Sequence, residues 1–98
     1  MKYYFCKLIP PRSTFPADMT PQEAGIMKAH AEFCRTLLDD GRAVIFGPVA
    51  DPAGFWGLGI LQLPEGENPQ EVMASDPVVK ADAGFAYNIL PMMQAATR

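Results

Sequence analysis

Two stretches of this chain open in the same way, Thr20-Pro21-Gln22-Glu23 and Asn68-Pro69-Gln70-Glu71. In each, a residue that caps helices well stands before a proline, with an acid two positions later. Proline at the first helical position loses nothing, because that N–H has no partner inside a helix. For Thr20 and Glu23 the pattern is a complete capping box. The two starts predict one helix over about 21–40, stopped by Gly41, and a shorter one over about 69–75.

The rest reads largely as strand. Residues 2–9, KYYFCKLI, are β-rich and stop at Pro10-Pro11. AVIFGPVAD and FWGLGILQL flank the turn Pro52-Ala53-Gly54, which predicts an antiparallel hairpin. FAYNILP is the last strand, and MMQAATR is expected to be coil. The order β-α-β-β-α-β predicts an α+β, ferredoxin-like domain: a four-stranded antiparallel sheet with two helices on one face. The connection PPRSTFPADM is long for such a domain and reads as a lid or flap.

Strand residues alternate faces, and here both faces are apolar. Phe55, Leu61 and Leu63 oppose Trp56, Leu58 and Ile60. Val44 and Phe46 oppose Ala43, Ile45 and Val49, while Phe85, Tyr87 and Ile89 oppose Ala86 and Leu90. Two helices cover one face only. The other leaves several hundred Å² to be covered, which monomers rarely expose. A homodimer pairing sheet on sheet is the expected cover. The 98 residues read as one domain, and their 49% apolar content makes it globular. A net charge of −3 with no basic run speaks against nucleic acid and anionic membranes as partners. No apolar run is long enough to span a bilayer, and a cytoplasmic location is expected. Cys6 and Cys34 form no CxxC pair and read as buried, inert thiols. With one histidine, no metal site is expected.

That histidine, His30, is the candidate functional residue. On a helical wheel it falls within the arc of Ile26, Met27, Phe33, Cys34, Leu37 and Leu38. Lys28, Glu32, Arg35 and Asp39 take the opposite side. His30 therefore aims at the sheet. One reading makes it a core histidine bonded to a backbone carbonyl. The other pairs it with an acid. Among the acids Asp76 stands out, in ASDPVV after the second helix, where the chain returns to the sheet. Asp before Pro is also a helix cap, and the two roles are compatible because one oxygen can cap while the other bonds the imidazole. A buried imidazole beside a carboxylate suits general acid–base work. There is no GxSxG, no cysteine evidently paired with the histidine, and no nucleotide-binding glycine motif. Cofactor-free proton transfer on a small, ring-shaped molecule is the chemistry that remains: isomerisation, lactone opening or elimination.

The His30 helix, LLDDGRAVIFGPVAD with Gly41 and Gly47-Pro48, and S-D-P-V-V at 75–79 together resemble the YCII-related (YciI-like) family, from Lys2 to about Pro91. The resemblance implies a ferredoxin-like domain that pairs into a dimeric α+β barrel. It also implies a His–Asp pair in a pocket, which by position is His30 and Asp76. The family includes a dehydrochlorinase of chlorinated aromatic breakdown, and its wider superfamily includes muconolactone isomerases. Two connections, PPRSTFPADMT and KADAG, are longer here than the family pattern, so no relative's substrate transfers directly.

Gly47, Pro48, Trp56 and Gly57 are candidates to line the cleft, and strand glycines equally mark bulges or curvature. Tyr87 reads as a core aromatic that could donate a hydrogen bond, and Arg12 as a solvated loop charge that could meet an anion. Two functions stand: a small acid–base enzyme without a cofactor, or a non-catalytic ligand-binding or accessory dimerisation domain with the same pocket. A pure interaction module with a core histidine is the third.

Overall fold

The computed structural model describes residues Met1–Arg98. The elements run β1 (Lys2–Ile9), α1 (Pro21–Asp39), β2 (Ala43–Val49), β3 (Trp56–Leu63), α2 (Pro69–Met73), α3 (Pro77–Lys80) and β4 (Ala86–Pro91). The strands make one antiparallel sheet in the order β2-β3-β1-β4. This is the expected α+β, ferredoxin-like plan, with the second helical segment divided into α2 and α3.

Both helix starts form as their sequences require. Thr20 Oγ1 accepts from the Glu23 N–H at 3.1 Å, and the Glu23 carboxylate accepts from the Thr20 N–H at 2.9 Å. Asn68 caps α2 by accepting from the Gln70 N–H at 2.8 Å. After α1, Gly41 takes φ +82°, the left-handed turn that sends the chain back into β2.

The sheet is best read in rows across its strands. On the helix-covered face, Ala43, Leu61 and Tyr4 lie side by side, followed by Phe46, Gly59, Cys6 and Ile89. Cys6, Leu61 and Leu63 are fully buried there, against Leu37 of α1 and Met73 of α2. On the open face, Ile45, Ile60, Phe5 and Leu90 form a row across all four strands. Ile45 is 50% exposed and Leu90 58%. β2 departs from simple alternation. Ala43 pairs with Leu61 and Ile45 with Ile60, so Val44 is an extra residue in a bulge. The bulge puts Phe46 on the same face as Ala43, whereas strict alternation had set them apart.

The long connection over residues 10–19 is tied down at both ends of its arc. Phe15 is buried, with its ring 5.6 Å from Phe55 and 5.5 Å from Phe85. Arg12 clamps the start of α1, donating to both oxygens of Glu23 at 2.7 and 2.8 Å and to Asp18 at 2.9 Å. Arg12 is therefore a structural clamp, its guanidinium engaged by Glu23 and Asp18.

The clamp has a pH signature. The Arg12 guanidinium, helped by the Thr20 N–H, lowers the Glu23 carboxyl from 4.5 to about 2. A lowered carboxyl stabilises the fold above its unfolded value and loses that contribution as pH falls through the folded value. Glu23→Gln should therefore melt below the unsubstituted protein near neutral pH. The gap should close between about pH 4.5 and pH 2 in thermal melts followed by circular dichroism.

Candidate active site

The inward positions of β3 read Gly57, Gly59, Leu61, Leu63. The leucines fill the core. The glycines leave a hollow between the sheet and α1. A Cβ on Gly59 would lie 2.6 Å from the Phe46 ring, so that ring rests directly on the bare backbone. A Cβ on Gly57 would lie 3.2 Å from Leu8. The hollow is a pocket of about 440 Å³, within the usual range for small-molecule sites. Its helical wall is a single stripe of α1: Met27, His30, Ala31, Cys34, Arg35 and Leu38. Phe15, Pro16 and Met19 from the long connection close one end.

His30 and Asp76 meet at the back of this pocket. His30 Nδ1 lies 2.8 Å from one Asp76 oxygen and 3.0 Å from the other. Asp76 is fully buried, while the His30 side chain is 14% exposed. The same carboxylate caps α3, accepting from the Val78 N–H at 3.0 Å. Tyr87 of β4 donates its hydroxyl to it at 2.7 Å. Capping and pairing thus coexist on one carboxylate. A carboxylate only accepts, so Nδ1 carries the hydrogen in this pair and Nε2 is the nitrogen not bonded to Asp76. Burial, then the charge of Asp76, pushes the Tyr87 hydroxyl well above its ordinary value. It stays a neutral donor.

Cys34 also touches the ring, one helical turn after His30. Its Sγ is 3.5 Å from Nε2 and 3.8 Å from Nδ1. Near-equal distances place the sulfur beside the ring and not along the Nε2 lone pair. Burial, then Asp76, pushes the thiol up to about 12, which keeps it neutral and a poor nucleophile. His30, Cys34 and Asp76 bring one donor atom each within 4.8 Å of one another. A cation there would have to displace the Nδ1–H bond and compete with Val78 and Tyr87 for the Asp76 oxygens. The donor set fits a hydrogen-bonded cluster better than a metal site.

The other expected lining residues divide. Gly47, Pro48 and Gly57 line the pocket. Trp56 does not. It lies on the open face, edge-to-face with Phe5 at 6.1 Å, under the Lys7 ammonium and bonded to Asp51 at 2.9 Å. Alternation alone forbids Trp56 and Gly57 from facing the same side. Arg35, which the wheel assigned to solvent, stands at the pocket's edge. The Cys34–His30 contact was readable from their i, i+4 spacing. The Tyr87–Asp76 bond had no local signal, because it depends on how β4 packs beside α3.

A family model described as the YCII-related domain matches residues 1–93. The chain belongs to the YCII-related family. No curated protein matches it. In this YCII-related domain the connection after β1 and the segment before β4 lie against each other. A Cβ on Gly84 would lie 3.0 Å from Pro11, and Phe85 packs on Phe15.

Removing the shared carboxylate should cost more than removing one of its partners. Asp76→Ala loses the α3 cap and orphans two donors, and should destabilise by about 3 kcal/mol. Tyr87→Phe loses a single bond and should cost about 1 kcal/mol. Urea denaturation of both variants measures the difference.

Proposed function

We propose that this domain is a small acid–base enzyme that needs no cofactor, with His30 as the proton carrier and Asp76 as its orienting partner. One observation carries the reading. The imidazole is pinned through Nδ1 to a buried carboxylate, and His30 lines an apolar pocket of about 440 Å³. Nε2 takes a proton from the substrate, and Asp76 stabilises the imidazolium that forms. The proton then returns to another atom of the same molecule, completing an isomerisation or a lactone opening. In an elimination, a leaving group such as chloride departs with the bonding pair and the proton passes to water. Tyr87 and the Val78 N–H hold Asp76 while this happens, so the ring keeps one orientation. The aromatic side chains Phe15, Phe46 and Phe55 on the wall suit a cyclic metabolite.

The apolar row Ile45, Ile60, Phe5 and Leu90 supports a second part of the reading, that two copies pair through the open sheet face. No helix is long and apolar enough to cross a membrane. A non-catalytic binding domain would use the same pocket and the same ring orientation without turnover. Turnover lost in His30→Ala with folding intact separates the two.

Nitrogen-15 spectra of the one imidazole should show the Nδ1–H form, and Asp76→Asn should give a mixture of tautomers. A mixture already present in the unsubstituted protein would sink the acid–base reading. Light scattering should give twice the 10.7 kDa chain mass. Ile45→Asp combined with Leu90→Asp should give the monomer, and a monomer without substitution would remove the pairing.

A further inference from the structure

Arg35 is the odd residue of the pocket. No aspartate or glutamate lines the wall itself, Asp76 lying behind His30 with its oxygens engaged, and Arg35 is the wall's only cationic side chain beside the titratable His30. The whole chain bears −3, so this absence of acids is local. The two other arginines before the C-terminal residue are engaged. Arg12 grips Glu23 and Asp18, and Arg42 grips Asp40 and reaches Glu67. Arg35 makes no ion pair or side-chain hydrogen bond, although Glu32 and Asp39 stand one turn away on either side. On the α1 stripe it sits at one margin and His30 at the other, with Ala31 and Cys34 between them. A small side chain at Ala31 leaves that path across the helix low.

We propose that the pocket takes a ring compound bearing a carboxylate, with the carboxylate held by Arg35 at the mouth and the ring against the aromatic wall beside His30. The inference rests on the acid–base reading and adds the substrate's charge to it. A guanidinium presents a planar fork of donors that matches a carboxylate in two parallel bonds. An apolar wall cannot orient a flat ring about its own axis. One charged anchor at the mouth can, and it fixes which ring atom meets Nε2. Arg35 is thus a specificity-determining residue and takes no part in the proton transfer.

The test uses 2-naphthoate and 2-naphthamide, which share shape and differ in charge, titrated into the intact protein while the His30 ring signals are followed by NMR. Naphthoate should shift those signals and bind about tenfold more tightly than the amide, the scale of a charge-assisted hydrogen bond. Arg35→Met keeps the aliphatic stem and should erase the preference while leaving amide binding unchanged. Arg35→Lys should keep part of it. Equal affinities, a preference that survives Arg35→Met, or no binding by either compound overturns the proposal. Equal affinities with His30 shifted by both would remove only the carboxylate anchor. Tight, Arg35-dependent binding that leaves the His30 signals unmoved would support the anchor and remove the acid–base reading instead.

Discussion

The Asp76 carboxylate is the interaction on which the rest of this structure depends. Taking such a group out of water costs several kcal/mol unless its oxygens find donors. Here the donors come from three separate places: the first turn of α3, the middle of α1 and the hydroxyl of β4's Tyr87. Each bond offsets part of the desolvation, and together they bind helix to helix and helix to strand. The positions of α3 and of the imidazole are therefore not independent. Whatever holds the short helix in place also sets the tautomer of His30. Stability and chemistry share the same two oxygens.

The pocket has a different origin, for it is made by leaving side chains out. Along β3 the inward residues change from leucine to glycine. The long α1 helix spans both halves. Above Leu61 and Leu63 it packs into a closed core, and above Gly57 and Gly59 it stands over a hollow. Phe46 reaches into that hollow only because the bulge at Val44 turns it inward, and it comes so close to β3 only because Gly59 has no Cβ. The packed half acts as the rigid mount for the open half, the arrangement a site needs if its groups are to stay within a fraction of an ångström.

What was legible in the residues follows from the range over which each signal acts. Helix starts are local: Thr20, Asn68 and Asp76 each sit within three residues of the N–H they cap. The inward aim of His30 is a periodicity, readable along one helix. Asp76 as its partner needed the fold plan and a family resemblance as well. Four details differ from the sequence expectation or lie beyond it. The bulge at Val44 reverses the expected face of Phe46, and nothing in AVIFGPV marks it. Arg35 lies at the boundary between the wheel's two sides, where a few degrees decide between solvent and pocket. Trp56 points away from the pocket because alternation gives it the face opposite to Phe55 and Gly57. Tyr87's bond to Asp76 lay beyond reach, because it joins residues from elements whose relative height no local pattern sets.

The hollow and the open face are two results of one distribution of side chains. A chain of this size has little core to spare, and here only 14 of 98 residues are buried although 49% are apolar. Keeping glycine at two inward positions of the central strand removes side chains from the covered face. The apolar mass lies on the other side, in Phe5, Ile45, Ile60 and Leu90. Sheet-to-sheet pairing, as proposed, recovers there the burial that the pocket gives up. On this view a lone chain could not easily hold so large a hollow beside a buried carboxylate, and the dimer is the condition that lets the inner face remain partly empty. The pocket's emptiness and the pairing of the outer face would then change together, since each is set by which residues of the same strand point which way.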